Sequence, residues 1–441
     1  MIREMGSRRQ FQDHFLELYP ELRGTPNEKG EGHLATKSIT FVVTENCNLR
    51  CSYCYECHKD YEAVMSKETA RKAVDMILTD SMMEGYINSE ETPGVIIEFI
   101  GGEPLLQIEL IDYICDYFRY KAFELNHPWY KYHMLNMTSN GVLYNDPRVQ
   151  QFIKKNSGRL SITITIDGDK SLHDSCRVFP DGSGSYDVVE KAIKKAQIQF
   201  GLKTSKITLA PENIQYTFQA VKYLFEMGLT DLNANVVYED VWDADRDAPI
   251  LYDQLIQLAD WMIESKMYEK GYCSIFDSTI GQPMLGTDNQ NWCGGNGQML
   301  AIGTDGRLFP CIRFMRYSLS NPELPEWEIG NVDRGIDKEE DNEYLKCLSC
   351  ITRKSQSTDE CFNCKVARGC AWCTGYNYDA FGTPDKRAIF DCWLHKARVL
   401  ANYYYWNKVY KADGDERRFQ LNLSDEEIER ITKGDSRWKN V

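Results

Sequence analysis

Sixteen unevenly spread cysteines constrain this 441-residue chain more than any other feature. Four of them lie within residues 47–57, and nine lie between residues 293 and 392. The first residues are polar and charged and contain no apolar run, so the sequence predicts no export signal. Without export, clustered cysteines favour metal or redox chemistry over a disulfide framework. We therefore predict two metal-bearing regions joined by a long cysteine-poor one.

Charge and hydropathy exclude two classes of partner. The net charge is −15, and a strongly acidic chain lacks the basic surface that phosphate contacts require. No apolar run approaches the ~18 residues that a membrane helix needs. The sequence thus predicts neither a nucleic-acid partner nor a membrane partner.

The cysteine-poor region alternates between two kinds of pattern. Short β-branched runs predict strands over 38–44, 95–100, 133–139, 160–166, 206–209 and 232–238. Helical periodicity predicts helices over 67–79, 105–125, 146–155, 186–200, 214–227 and 250–267. Such alternation favours a parallel sheet with right-handed crossovers, either open or rolled into a barrel. The runs are apolar throughout, which predicts strands covered on both faces.

Turn residues and cysteines dominate beyond residue 293, and strands are few. Such a region has little core and is expected to rely on metal for stability. A helical tail follows over 386–410, and the capping box Ser424-x-x-Glu427 opens a final helix. The predicted divisions are 1–37, a short extension; 38–245, the alternating region; 246–292, a bridging helix and linker; 293–395, the cysteine-rich domain; and 396–441, a helical tail.

The first cysteine motif follows the first predicted strand, with Cys47, Cys51 and Cys54 spaced C-x3-C-x2-C. A four-iron cluster normally takes four thiolates, so three ligands leave one iron open to a second molecule. A zinc knuckle with Cys57 as its fourth ligand is the alternative, although zinc sites favour paired C-x2-C units. The spacing favours the iron cluster.

The second predicted strand ends in Gly101-Gly102-Glu103-Pro104. Two glycines allow another group to approach the backbone closely. Glu103 adds a carboxylate to this turn, and Pro104 opens the following helix. The tetrapeptide is therefore a candidate binding turn one strand away from the cysteine loop.

Together these motifs resemble the radical S-adenosylmethionine (radical SAM) superfamily, in which an aromatic residue, here Tyr53, precedes the last cysteine. The resemblance implies that Cys47, Cys51 and Cys54 hold the cluster that binds SAM, and that Cys57 is unligated. The resemblance also implies that residues at the ends of the predicted strands contact SAM. The implied SAM-binding residues are Tyr53, Gly101, Gly102, Glu103, Pro104, Ser139, Asn140 and Asp167, with Arg177 nearby.

The later cysteines resemble the SPASM extension of radical SAM enzymes. Cys293-x12-Gly306-x4-Cys311 is followed by Cys361-x2-Cys364-x5-Cys370-x2-Cys373 and by Cys392, with the last pair one residue closer than the family spacing. The resemblance implies two auxiliary clusters. The first would use Cys293, Cys311 and Cys373, and the second Cys361, Cys364, Cys370 and Cys392. We favour Cys347 as the fourth ligand of the first cluster. The alternatives are Cys350, an open iron, or a separate knuckle formed by Cys347 and Cys350.

The implied fold is α/β, a partial (β/α)6 TIM-like barrel followed by a small cysteine-rich iron–sulfur SPASM domain and C-terminal helices. The implied cofactors are three [4Fe-4S] clusters and S-adenosyl-L-methionine, which yield a 5′-deoxyadenosyl radical that abstracts hydrogen. The auxiliary clusters would accept the second electron from the oxidised product. The catalytic base is not identified by any motif.

Members with this extension mostly modify ribosomally made peptides, so we predict a maturase that installs a thioether or carbon–carbon crosslink. Sulfatase-maturating members carry aspartate directly after the cysteine of G-x4-C, whereas Ile312 and Arg313 follow Cys311 here. That departure disfavours formylglycine formation, which is kept as the alternative. Arg313 and Arg316 would receive an acidic peptide segment or form a solvated basic patch.

The expected partners are a ribosomal precursor peptide and an external electron donor of flavodoxin or ferredoxin type. Only 37 residues precede the first predicted strand, so leader recognition would need a separate leader-binding protein or the barrel surface. Oxygen-sensitive clusters imply a reducing cytoplasm. The rival from another class is a non-catalytic iron–sulfur or zinc protein, which would need neither Gly-Gly-Glu-Pro nor a barrel.

Overall fold

Six parallel strands alternate with helices in the first part of the molecule, as the sequence predicts. The computed structural model describes residues 15, 18–22, 36–56, 61–83, 86, 93–291, 293, 295 and 299–441. The strands are β1 (Thr36–Thr44), β2 (Gly94–Gly101), β3 (His133–Ser139), β4 (Leu160–Ile164), β5 (Thr204–Leu209) and β6 (Asp231–Val236). The helices are α1 (Lys67–Ile77), α2 (Ile108–Glu124), α3 (Pro147–Asn156), α4 (Lys170–Cys176), α5 (Tyr186–Phe200), α6 (Thr217–Glu226) and α7 (Ala244–Glu264).

The strands form an arc made of two hydrogen-bonded sheets. Strands β1 to β4 pair in parallel and in chain order, and β5 pairs with β6, which is followed by the short β7 (Tyr272–Cys273). The two sheets meet where the Ser205 hydroxyl donates to the carbonyl of Ile164 at 2.9 Å. An arc of this kind, with helices on its outer face, is the partial barrel that the sequence predicts.

The two faces of the barrel strands differ in polarity. Ile39, Phe41 and the residues in line with them on neighbouring strands are buried against the helices. On the opposite face, Glu98 accepts hydrogen bonds from Thr40 at 3.1 Å and from Asn136 at 2.9 Å, all three in register across β1, β2 and β3. The prediction of apolar strands on both faces is therefore wrong for the inner face, because these polar side chains satisfy one another there.

The cysteine-rich part shares a sheet with the barrel. Its strands are β8 (Met299–Ile302), β9 (Arg307–Phe309), β10 (Gly330–Asn331) and β11 (Gly335–Ile336), and its helices are α8 (Glu343–Cys350), α9 (Asp359–Phe362) and α10 (Thr374–Phe381). Strand β8 pairs in parallel with β1 on the side away from β2. The barrel sheet thus continues past residue 293, where the sequence places a domain boundary.

A buried arginine organises the loops of the cysteine-rich part. Arg353 is 1% exposed and donates to the carbonyls of Asp288 at 2.7 Å, Phe362 at 2.8 Å and Leu285 at 3.0 Å. Its guanidinium also lies 4.1 Å from the centre of the Phe362 ring. One polar side chain therefore joins the loop over 285–288 to the end of α9.

Two C-terminal helices complete the molecule. They are α11 (Cys392–Ala412), which packs along α7, and α12 (Asp425–Thr432), whose predicted capping box between Ser424 and Glu427 is present. Helix α7 begins at Ala244, six residues before the predicted start, because Asp243 caps its first turn. Across the described residues, no helix combines the length and the apolarity needed to span a bilayer.

Candidate active site

The cysteine loop begins where β1 ends. The Cys47 thiol accepts a hydrogen bond from the backbone N–H of Leu49 at 3.4 Å. The loop is pinned to the segment after α4, because Arg50 N–H donates to the Val178 carbonyl at 2.7 Å and Ser52 N–H donates to the Cys176 carbonyl at 3.0 Å. The shape of this loop is thus fixed by contacts across the barrel. Cys57, predicted to be unligated, lies outside the described residues.

The Gly-Gly-Glu-Pro turn packs directly on the cysteine loop. Gly102 N–H donates to the Thr44 carbonyl at 3.1 Å, and Glu103 N–H donates to the Asn46 carbonyl at 3.0 Å. A Cβ atom at Gly101 would lie 2.2 Å from the Thr44 carbonyl oxygen, and one at Gly102 would lie 2.3 Å from that of Asn46. Both glycines are therefore required by the neighbouring backbone, a reason the sequence alone does not show. Pro104 is buried and opens a short 3-10 turn before α2.

Glu103 is held by internal donors rather than facing an open pocket. It is 1% exposed and accepts from the Ser139 hydroxyl at 2.7 Å, the Asn140 N–H at 2.8 Å and the Leu105 N–H at 3.1 Å. Burial raises the pKa of this carboxyl to about 7 despite those donors. In this structure Glu103 joins the ends of β2 and β3.

Asn140 brings the end of β3 to the cysteine loop. Its side-chain Nδ2 donates to Asn48 Oδ1 at 2.7 Å and lies 3.9 Å from the Cys47 sulfur. The structure therefore brings Ser139, Asn140 and Glu103 together beside Cys47. Asn48 takes part in this contact and carries no motif that singles it out in the sequence.

Asp167, at the end of β4, supports the other side of the cysteine loop. It is 3% exposed and accepts from Arg177 Nε at 2.7 Å, from the Tyr53 hydroxyl and from the Thr208 N–H at 3.2 Å. Arg177 Nη1 in turn lies 3.7 Å from the Cys51 sulfur. Tyr53 and Asp167, both predicted as SAM contacts, thus meet beside Cys51.

Burial and a cation–π contact stabilise the cluster formed by Tyr53, Asp167 and Arg177. The Arg177 guanidinium lies 5.3 Å from the centre of the Tyr53 ring, and burial raises the pKa of the Tyr53 hydroxyl well above its ordinary value.

Asp174, by contrast, caps the start of α5 by accepting from the Tyr186 N–H at 2.8 Å. Asn213 closes a turn by accepting from the Ala210 N–H at 2.8 Å. The last two residues act as cap and turn residues.

The donor set of this loop fits a thiolate-ligated iron cluster. Cys47 and Cys51 each have N–H or guanidinium donors near their sulfur, and such contacts stabilise thiolate charge and tune a bound cluster. Within the described part of the chain, no three histidine, cysteine, aspartate or glutamate side chains converge as a site for a single metal ion. The C-x3-C-x2-C spacing makes Cys47, Cys51 and Cys54 the residues that would hold the cluster, and that assignment stays a prediction.

A first group of thiols forms in the cysteine-rich part. Cys311 interacts electrostatically with both Cys293 and Cys373, and burial raises the pKa of its thiol. Thr374 Oγ1 lies 2.8 Å from the Cys293 sulfur, and the Tyr376 N–H donates to the Cys373 sulfur at 3.4 Å. We call Cys293, Cys311 and Cys373 the triad.

A second group contains the other four predicted ligands. Cys392 interacts with Cys361 and Cys364, and Cys370 interacts with Cys364 and Cys392. Burial is the main cause that raises the pKa of Cys392 to about 11 and of Cys370 to about 12. We call these four residues the quartet. These seven thiols thus lie in two groups, and their assignment as ligands of two auxiliary clusters stays a prediction.

Cys347 lies on α8, where its titratable neighbours are Cys350 and Asp385 rather than the triad. Cys350 is exposed at the end of the same helix. Cys347 also packs against the buried hydrophobic cluster that contains Cys311, and its assignment as the fourth ligand of the triad stays a prediction.

Comparison with known proteins identifies the barrel. The family model described as the radical SAM superfamily matches residues 41–233. Residues 41–233 are a radical SAM domain. It contains the cysteine loop, the Gly-Gly-Glu-Pro turn, strands β2 to β5 in full, and parts of β1 and β6.

Curated relatives match different shares of the chain. An uncharacterized protein of Methanocaldococcus jannaschii is 28% identical over 46% of this chain, which spans 63% of that relative's length. The serine-type anaerobic sulfatase-maturating enzyme of Bacteroides thetaiotaomicron is 22% identical, covering 65% of this chain and 69% of its own. The radical SAM cyclopropyl synthase TigE of Paramaledivibacter caminithermalis is 23% identical, covering 87% of this chain and 77% of its own.

A solved structure extends the likeness beyond the radical SAM domain. The chain anSMEcpe, solved with bound AdoMet and a Cp18Cys peptide, superposes with a TM-score of 0.60 and 18% identity, covering 86% of this chain and 99% of its own. At this identity the likeness shows the fold alone. It supports the radical SAM α/β fold with a cysteine-rich C-terminal region, and the domain implies an enzyme that uses SAM and an iron–sulfur cluster.

Proposed function

We propose that the protein is a radical SAM/SPASM maturase that installs an oxidative crosslink, a thioether or a carbon–carbon bond, in a ribosomally made peptide. One observation carries the proposal: the cysteine loop, the Gly-Gly-Glu-Pro turn and the ends of β3 and β4 converge on Cys47 and Cys51. A further seven thiols lie in two groups in the region that follows. This combination fits one SAM-binding cluster and two auxiliary clusters.

The chain's own residues would prepare this site before any substrate binds. Glu103 and Asn140 brace the Cys47 side of the loop, while Asp167 and Arg177 brace the Cys51 side. When SAM and a cluster are bound there, they would supply hydrogen-atom abstraction from an unactivated carbon. The protein's contribution is to hold the loop rigid and to keep water away from it.

One solved structure supports a peptide substrate, because anSMEcpe was solved with a peptide bound. We propose a precursor peptide as substrate, a flavodoxin or ferredoxin as electron donor, a cytoplasmic location, and leader recognition by a separate protein or by the barrel surface.

The second candidate is an anaerobic sulfatase-maturating enzyme. The Bacteroides thetaiotaomicron relative and the superposition on anSMEcpe favour it. Against it stands Ile312, because this position holds the aspartate base in the sulfatase-maturating pattern, and Arg313 follows. The lack of that carboxylate is our reason for ranking peptide crosslinking first.

The first experiment asks whether the clusters are present. Protein purified without oxygen should contain about twelve iron atoms per chain if three four-iron clusters are present. The Cys47→Ala, Cys51→Ala, Cys54→Ala variant should lose one third of that iron and all conversion of SAM to 5′-deoxyadenosine. Cys115→Ala, which removes a core thiol in α2, is the matched control and should keep both. Zinc without iron would support a non-catalytic metal protein and would contradict the proposal.

The second experiment assigns the product. Enzyme, reductant and SAM are incubated with short precursor peptides and, separately, with sulfatase peptides that carry cysteine or serine at the modification site. A crosslink appears as a loss of two hydrogens that resists thiol alkylation or joins two residues in fragment spectra. Formylglycine in the sulfatase peptide, with no change in any precursor peptide, would overturn crosslinking in favour of the second candidate.

A further inference from the structure

Arg313 lies where the barrel mouth meets the cysteine-rich part. It follows Cys311 by two residues, and its side chain is only 17% exposed. Its Nη1 forms an ion pair with Glu239 at 3.1 Å, on the segment that follows β6. The guanidinium also lies 4.8 Å from the centre of the Tyr55 ring, and Tyr55 directly follows Cys54. One side chain therefore contacts loops at both ends of the six-stranded arc.

The same residue is built into the triad. A Cβ atom at Gly375 would lie 2.4 Å from the Arg313 Cβ, so only glycine fits there, two residues after Cys373. Arg313 interacts electrostatically with the thiols of Cys311 and Cys373. The centre of the Tyr376 ring lies 6.0 Å from the guanidinium. Arg313 thus approaches two of the three triad thiols.

The charge of this arginine is fixed, because a guanidinium stays protonated at all ordinary pH values. A one-electron reduction adds negative charge to an iron–sulfur cluster, and a nearby buried cation stabilises the reduced form more than the oxidised form. The carboxylate of Glu239, 3.1 Å from Arg313 Nη1, offsets part of that effect because it carries the opposite charge.

We propose that Arg313 is a positioning residue that raises the reduction potential of the iron–sulfur cluster held by the triad, and that Glu239 limits the rise. This inference rests on the proposed function, because it requires a cluster at the triad. It assigns Arg313 a role in making the triad a better electron acceptor for an oxidised substrate.

The test is a potentiometric titration followed by electron paramagnetic resonance, in the Cys47→Ala, Cys51→Ala, Cys54→Ala background, where two clusters remain. Cys373→Ser and Cys392→Ser assign the two signals to the triad and to the quartet. Arg313→Gln should lower only the triad potential, by at least a tenfold change in the reduced-to-oxidised ratio, which corresponds to about 59 mV for one electron. Glu239→Gln should move the same potential in the opposite direction.

Two further variants sharpen the result. Arg313→Lys keeps the charge and should lower the potential less than Arg313→Gln. Arg316→Gln is the matched control, because Arg316 donates to the carbonyls of Asn321, Pro322 and Leu324 instead of facing the triad. It should leave both potentials unchanged.

The outcomes separate this inference from the proposed function. If iron and sulfide analysis finds no cluster at the triad of the unaltered protein, both fail. If the cluster is present and Arg313→Gln moves neither potential, or moves the quartet's, the inference alone is overturned. If the Arg313→Gln variant does not assemble the triad cluster, the Glu239→Gln variant provides the test. An unchanged reduction potential of the triad cluster in Glu239→Gln would then overturn the inference.

Discussion

The two cysteine-bearing regions are held in different ways. The loop with Cys47, Cys51 and Cys54 rests on the partial barrel, where buried strands and helices fix the ends of β1 to β4. The region with the triad and quartet has short strands, a few buried aromatic residues, and Arg353 joining loops through backbone carbonyls. The difference teaches that the first site is positioned by the fold, whereas the second is expected to depend on its cofactors for order.

The largest expected difference comes from removing ligands in each region. Cys361→Ala with Cys364→Ala should open the cysteine-rich part, and a local loss of one or two kcal/mol raises the unfolded population by about 5–30-fold. Tryptic cleavage after Lys354, Lys365 and Arg368, all exposed, measures that opening. The Cys47→Ala, Cys51→Ala, Cys54→Ala variant should leave the cleavage rate and the thermal unfolding of the barrel unchanged. Equal sensitivity of the two variants would break the comparison.

The next prediction concerns Arg353. Arg353→Leu leaves the carbonyls of Leu285, Asp288 and Phe362 without their charged donor, and a hydrogen bond that involves a charged group contributes about 1.5–3 kcal/mol. Hydrogen-exchange mass spectrometry should show faster exchange in residues 285–289 and 361–364, with the barrel strands unaffected. Lys354→Leu is the matched control on the adjacent exposed residue. Protection that survives Arg353→Leu would show that the cofactors alone order these loops.

Gly102 tests whether the barrel positions the first site. Gly102→Ala places a Cβ atom 2.3 Å from the Asn46 carbonyl oxygen and 2.8 Å from the Cys47 Cβ. Forced contacts of this kind typically cost about 1–3 kcal/mol. The variant should unfold at a lower temperature and retain less iron. Gly158→Ala, with no heavy atom within 4 Å of the new Cβ atom, should behave like the unaltered protein.

The smallest expected effect is a pH dependence from Glu103. Its pKa is raised from 4.5 to about 7 by burial, so folding favours the protonated carboxyl. The stabilisation from this protonated carboxyl is fully present below the pKa of 4.5 that applies in the unfolded state, and it is lost as pH rises through about 7. The loss of stability amounts to about 1 kcal/mol between about pH 6 and about pH 8. Glu103→Gln should flatten this slope in denaturant unfolding measured across that range. A slope as steep as that of the unaltered protein would rule out Glu103 as its source.

Local patterns in the sequence were enough to predict most strands and helices of the barrel. The strand predicted over 133–139 and the helix predicted over 186–200 match β3 and α5 residue for residue. Alternating or helical hydrophobicity encodes such elements without reference to the rest of the chain. Helix α4 was not predicted, because a seven-residue helix capped by Asp169 has too few turns to show a period.

The candidate site was predicted as a set of residues but not as an arrangement. The resemblance to radical SAM enzymes implied Glu103, Ser139 and Asp167 as members of the site, and a role in binding SAM remains a prediction for each. Their present partners are residues from other strands or loops, and spacing within one segment contains no information about those contacts. Arg177 and Asn140 reach the cysteine loop only because parallel strands bring their C-terminal ends to one edge.

The sequence by itself determined that this chain carries a C-x3-C-x2-C loop and a Gly-Gly-Glu-Pro turn on neighbouring strands, because both are short local patterns. Only the tertiary structure decided that both glycines serve the backbone of the cysteine loop, that β8 extends the barrel sheet, and that Arg313 joins Glu239 to the triad. Those contacts join residues far apart in the chain, so their energies depend on where the packed strands place them.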